Sequence, residues 1–216
     1  MQVASLLAAS PLRQLKESNE MTRYDEQLSY LQKPSEDDIS PELQAEFDRY
    51  TEAQVKTNGF INNLFKVLPL NAAQYKGFLD FKYSLFNEET CYLSTIDKEM
   101  IGLVVSSTNN CSYCLTSHSD VLRGLTKDPR WVDLLTYNYR SATLTEKQRA
   151  LCDYAYRTTR YPNEITTQEV DLLRAVGFND HEILEAAYVV GFFNYTNRWV
   201  STIGAIANEG HFNHNR

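Results

Sequence analysis

The sequence predicts an all-α protein, and three observations carry that prediction. Glycine and proline are scarce, 8 and 6 of 216 residues, about half of ordinary usage, so a many-stranded sheet would lack turn formers. Four segments open with a capping-box pattern, a Ser, Thr or Asn followed three residues later by an acid or Gln: Ser94/Asp97, Thr145/Gln148, Thr166/Glu169 and Asn179/Glu182. No segment shows the clean apolar/polar alternation of a half-buried strand.

The elements follow in order. Residues 1–34 are polar with scattered Leu12, Leu15, Tyr24, Leu28 and Leu31, and are expected as a loosely attached helical arm. Residues 33–41 hold two prolines and three acids and read as a linker. Pro41 suits a first helical position, where its missing N–H is not needed. Leu43, Phe47, Tyr50 and Val55 give a partial helical stripe, which Gly59 interrupts. A dense apolar cluster follows over 60–68, and Pro69 ends it. Asn71, with Gln74 three places on, caps a helix carrying Tyr75, Phe78, Leu79, Tyr83 and Phe86. Ser94 opens a strongly apolar helix through Ile101, Leu103, Val104 and Val105. Thr108, Asn109 and Asn110 interrupt it, and Cys111 starts the next. A short extra helix is expected near 166–176.

The domain reading is an arm (1–34), a core domain (35–210) built of two similar helical halves at about 59–127 and 145–208, and a floppy tail (211–216). A weak internal repeat motivates the halves. The run from Asp97 to Ile101 resembles that from Asp180 to Leu184, and the same offset lays Cys111 and Cys114 over Asn194 and Asn197, and His118 over Ser201.

Composition excludes several classes of function. Hydrophobic residues are 43% and charged residues 23%, the balance of a globular chain rather than a disordered one. The net charge of −7 repels phosphate backbones, so no nucleic-acid partner is expected. No uncharged run reaches 18 residues, so no membrane span is expected. The N-terminus lacks the basic residues of a signal peptide, and the expected location is cytoplasmic. Four cysteines (Cys91, Cys111, Cys114 and Cys152) do not make a disulfide framework for a chain of this size. Cys91 and Cys152 read as small core residues. Trp131, Tyr137, Tyr139, Phe192, Phe193, Tyr195 and Trp199 read as core or interface aromatics.

The chemistry is concentrated in residues 110–118. On a helix, Cys111, Cys114 and His118 fall at i, i+3 and i+7 and share one face. An imidazole four residues on can take the proton of the Cys114 thiol, and Cys111 lies where the positive end of the helix lowers thiol pKa. A CxxC on one turn suits a thiolate that attacks an oxidant and a second thiol that resolves it. Glu99, twelve residues before Cys111 on the preceding helix, is the candidate carboxylate of a proton shuttle. The same three residues also fit a zinc site, with Glu99, His211 or His214 as fourth ligand. The spacing leaves both chemistries open.

The pattern Glu-x11-Cys-x-x-Cys-x3-His in a helical chain resembles the AhpD-like alkylhydroperoxidases of the carboxymuconolactone decarboxylase superfamily. Residues 98–124 (KEMIGLVVSSTNNCSYCLTSHSDVLRG) carry it most strongly. The flanks 59–65 and 178–198 resemble its peroxidase-related branch. The resemblance implies a duplicated helical fold and reduction of hydroperoxides by the cysteine pair. It implies Cys114 as the peroxidatic residue, Cys111 as its resolving partner, and His118 and Glu99 as the proton relay. It implies no haem, flavin or metal, an external dithiol as electron donor, and a homo-oligomer, a hexamer before a trimer or dimer. One departure stands out: Tyr113 occupies the place where the family often has His, and a phenol is no base near neutral pH. A disulfide oxidoreductase or redox sensor with little peroxide turnover is therefore the nearest rival, and a zinc-stapled interaction scaffold the next.

Overall fold

The computed structural model describes residues 27–216 except 36 and 37. Most of the expected N-terminal arm, residues 1–26, lies outside the described residues. Over residues 27–34 the chain is irregular rather than helical, and it is tied down: Tyr30 N–H donates to the Ile203 carbonyl at 2.8 Å, and Ile206 N–H to that of Leu28 at 2.9 Å.

Ten α-helices and no strand occur among the described residues: α1 (Pro41–Asn58), α2 (Asn63–Val67), α3 (Ala72–Phe86), α4 (Thr95–Thr108), α5 (Ser112–Thr126), α6 (Pro129–Asn138), α7 (Glu146–Arg160), α8 (Thr167–Ala175), α9 (Asp180–Thr202) and α10 (Gly210–Asn213). The N-cap signals in the sequence become bonds. Thr145, Thr166 and Asn179 form complete capping boxes, and Ser94 and Asn71 accept the N–H groups of Asp97 and Gln74. Each cap satisfies an orphan donor and contributes about 1 kcal/mol. Helix α6 carried a signal of the same kind that the sequence reading passed over, Asp128 before Pro129, with Asp128 accepting from Trp131 N–H.

Helix α4 is the axis of the molecule. Every residue from 98 to 106 is buried, and α5, α6, α7 and α9 pack around it. A helix apolar on all sides has to be surrounded, and each fully buried Leu, Ile, Met or Val contributes about 1.5–3 kcal/mol. Two charged residues, Lys98 and Glu99, lie within this buried stretch. Lys98, fully buried, reaches Glu185 on α9 at 3.0 Å, and Glu185 also accepts Tyr92 N–H at 2.6 Å.

Asp97 and Asp180 both lie in first turns, Asp97 as the third residue of α4 and Asp180 as the first of α9. Beyond them the two segments diverge. Asn110 adopts φ 55° and stops α4, a backbone state that Asn tolerates better than most residues. The chain turns back, and α5 folds against α4. The second segment runs on as the unbroken 23-residue α9.

The C-terminal tail is fixed in place, against expectation. His211 is buried, its Nδ1 donates to Asp120 Oδ2 at 2.7 Å, and its Nε2 lies 2.8 Å from Asn62 Oδ1. Arg123 donates to the His211 carbonyl at 2.7 Å, and Asn215 to Asp120 Oδ1 at 2.9 Å. Both Asp120 and Arg123 lie on α5, so the tail braces that helix.

Candidate active site

The break at 109–111 makes Cys111 the N-cap of α5 and puts Cys114 at its third position. The Cys111 N–H donates to the Ser106 carbonyl at 3.0 Å, which fixes the turn. Both cysteines are free and buried, with their sulfurs in hydrogen-bond contact 2.8 Å apart. That hydrogen bond lowers the Cys111 thiol to about 6 against the cost of burial, and the Cys114 N–H, the Ser201 hydroxyl and the His118 charge add to it. The same bond, with burial, pushes Cys114 far up, opposed by the Asn197 amide. The two shifts run in opposite directions, so the pair gives up its two protons in well-separated steps.

Glu99 and His118 meet across the α4/α5 hairpin, with His118 Nδ1 and Glu99 Oε2 2.7 Å apart. The carboxylate is nearly buried, whereas the imidazole keeps 24% of its surface open. Glu99 thus reaches the imidazole and fixes its orientation from behind. The Phe193 ring stands edge-on to His118, with centroids 4.8 Å apart. Gly102 makes room for that ring, because a Cβ at Gly102 would overlap it.

Tyr113 is buried within the chain. Burial pushes its phenol well up, and it supplies no base. Cys152 is fully buried, and burial raises its thiol to about 12. Cys91 is only half-buried and donates to the Leu85 carbonyl at 3.3 Å. Tyr137 and Tyr195 are exposed rather than core.

The two tail histidines, candidates for a fourth metal ligand, lie against Asp120. His211 is committed to Asp120 and Asn62, and His214 lies 3.5 Å from Asp120. Among the described residues, no group of three His, Cys, Asp or Glu side chains is arranged to hold a metal ion. Two surface clefts, of about 290 Å³ and 190 Å³, open near Arg157 and near Arg140, and neither touches Cys111, Cys114, His118 or Glu99. No helix of the described residues is long and apolar enough to cross a membrane.

Sequence reasoning passed over the polar layer that α9 brings to the pair. Asn109 Nδ2 donates to Asn194 Oδ1 and Asn197 Oδ1, each at 3.0 Å, and Asn197 Nδ2 donates to Ser106 Oγ at 3.0 Å. The repeat offset held a hint of it, since it laid Asn194, Asn197 and Ser201 over the chemical positions.

The family model for the carboxymuconolactone decarboxylase family matches residues 73–156, a span that contains all four site residues. Among solved structures, an uncharacterised peroxidase-related protein from Silicibacter sp. TM1040 is 34% identical, with a TM-score of 0.80 over 88% of this chain and 97% of that one. A peroxidase-related protein with an alkylhydroperoxidase AhpD core, from Ralstonia eutropha JMP134, is 26% identical, with a TM-score of 0.81 over the same shares. At 18% identity, a cysteine-to-alanine variant of the debrominase Bmp8, in complex with 2,3,4-tribromopyrrole, shares the fold with a TM-score of 0.68 over 84% of this chain and 92% of that one. No curated protein matches the chain.

Proposed function

The chain belongs to the carboxymuconolactone decarboxylase superfamily as an AhpD-like protein, and from that premise we propose that it is a thiol-dependent hydroperoxide reductase with an antioxidant role. One observation carries the reading: a buried thiol pair, sulfurs 2.8 Å apart, sits on the same helix as an imidazole anchored by a buried carboxylate.

The steps balance as follows. Transfer of the shared proton from Cys114 to Cys111 moves the charge to the Cys114 sulfur. That thiolate attacks the terminal peroxide oxygen and the O–O bond breaks. His118, held by Glu99, protonates the departing alkoxide, which leaves as the alcohol. Cys114 is now a sulfenic acid. The Cys111 sulfur attacks it, the S–O bond breaks, and the sulfenic hydroxyl leaves as water with the Cys111 proton. Two thiols have become a disulfide, and the peroxide has taken up two electrons. An external dithiol restores the pair by exchange, so the cycle calls for no further cofactor. The exposed stripe Leu184, Tyr188 and Tyr195 along α9 supports assembly with further copies of the chain.

The test is a peroxide titration of reduced protein, read by mass spectrometry on the peptide containing both cysteines. The expected result is a loss of two protons at near-stoichiometric peroxide, abolished in Cys114→Ser. Full peroxide turnover by Cys114→Ser would overturn the mechanism. Disulfide formation with negligible peroxide rate would favour the oxidoreductase or sensor reading, which the inert phenol of Tyr113 supports.

A further inference from the structure

We propose that Asn109 is a positioning residue for the cysteine pair: its amide ties the turn that carries Cys111 to α9, and so favours closure of a Cys111–Cys114 disulfide. The inference rests on the redox reading of the pair and adds a residue that acts on it through the backbone.

Closure needs the two sulfurs side by side. Cys114 is held within α5, but Cys111 is only its N-cap, so the turn before it sets its place. Backbone bonds shape that turn: Asn109 N–H to the Val105 carbonyl at 3.0 Å, Asn110 N–H to Ser107 at 3.2 Å, and Cys111 N–H to Ser106 at 3.0 Å. Asn110 sits at φ 55°, a state that is unfavourable for any residue with a side chain. The turn therefore needs support from outside.

Helix α9 supplies it. Asn109 Nδ2 gives one hydrogen to Asn194 Oδ1 and the other to Asn197 Oδ1, each at 3.0 Å. Buried Asn197 donates to Ser106 Oγ at 3.0 Å, and Ser106 is the residue whose carbonyl receives the Cys111 N–H. The direction of these bonds is forced. Asn194 Nδ2 faces the Val190 carbonyl at 3.0 Å, which can only accept, and Arg198 Nη1, 2.9 Å from Asn194 Oδ1, can only donate. Asn194 Oδ1 thus faces Asn109, which has to present its amide hydrogens. Thr159 of α7 anchors the far end, accepting from Asn194 Nδ2 at 3.0 Å. The bridge runs from α7 through α9 to the turn, and it is stiff because each broken bond would leave a polar group unpaired. A turn held in this way keeps the sulfurs 2.8 Å apart and raises the effective concentration of one thiol at the other.

The test equilibrates the full-length protein with glutathione redox buffers and reads the disulfide fraction by mass spectrometry. It needs no peroxide. One cysteine sulfur displaces a glutathione from oxidised glutathione and the second cysteine sulfur displaces the other, so the protein gives up two electrons and two protons and two glutathione thiols form. Asn109→Ala is expected to lower the equilibrium constant about tenfold, the weight of roughly one hydrogen bond, which makes the midpoint about 30 mV less negative. Thr159→Ala is expected to shift it the same way by about threefold, and decides should Asn109→Ala fail to fold. Thr145→Ala, which breaks the capping box at the opposite end of α7, is expected to lower stability and leave the midpoint in place. A wild-type midpoint in the bridge variants, or an equal shift in Thr145→Ala, would overturn the proposal. The expected shift in a protein without peroxide turnover would overturn the peroxidase reading and leave this one standing. A wild-type pair that never closes would overturn both.

Discussion

The Cys111 and Cys114 sulfurs lie 2.8 Å apart, and Cys111 is the N-cap of the helix that carries Cys114. One short turn therefore sets both the low Cys111 value, about 6, and the raised Cys114 thiol. Cys114→Ala removes the donor. The Cys111 thiol is then expected to rise by about one to two units, so its reactivity near pH 6 falls while that above pH 9 is unchanged. Cys114→Ser, which still donates, is expected to keep most of the depression. Alkylation rate against pH reads both variants.

In the proposed relay, nearly buried Glu99 anchors His118. Glu99→Gln removes its charge but retains an oxygen acceptor for His118 Nδ1. Peroxide-driven disulfide formation is expected to slow by about 10²-fold, the lower range for a positioned acid–base group. Stopped-flow measurement of the oxidation step checks it, and an unchanged rate would remove Glu99 from the mechanism.

Gly102 and Phe193 form a close contact behind the imidazole. Gly102→Ala would drive a methyl group into the Phe193 ring, an overpacking cost of about 1–3 kcal/mol. Because that ring faces His118, the variant is expected to lose peroxide-driven oxidation as well as thermal stability. Pairing it with Phe193→Leu, which relieves the overlap, should recover stability in a thermal melt.

The tail offers a test of stability against pH. Burial alone would raise the Asp120 carboxyl, but hydrogen bonds from His211 and Asn215 outweigh it and hold the group below its ordinary value. A depressed folded-state pKa gives a stability contribution that is complete above the unfolded value. It is lost as pH falls through the folded one. Asp120→Asn is therefore expected to melt lower than wild type at pH 7, with the gap closing below about pH 4. His211→Ala leaves Asp120 buried without that partner, at a cost of about 3–5 kcal/mol, or roughly 10 °C in melting temperature. A floppy tail would show neither effect.

The sequence by itself determined the helices and the residues of the candidate site. Caps such as Thr145/Gln148 and Asn179/Glu182 are local, and local hydrogen bonds are written in neighbouring residues. The spacing of Cys111, Cys114 and His118 is local too, so one helix suffices to bring them to one face. Only the tertiary structure decided what lies across from them. Glu99 meets His118 because Asn110 turns α4 back onto α5. His211 is buried because Asp120 and Asn62, distant in sequence, converge on it. The lowering of the Cys111 thiol, against burial, draws on groups brought to it by packing, Ser201 of α9 among them. Such long-range contacts have no period in the sequence, because packing and desolvation act through space rather than along the chain.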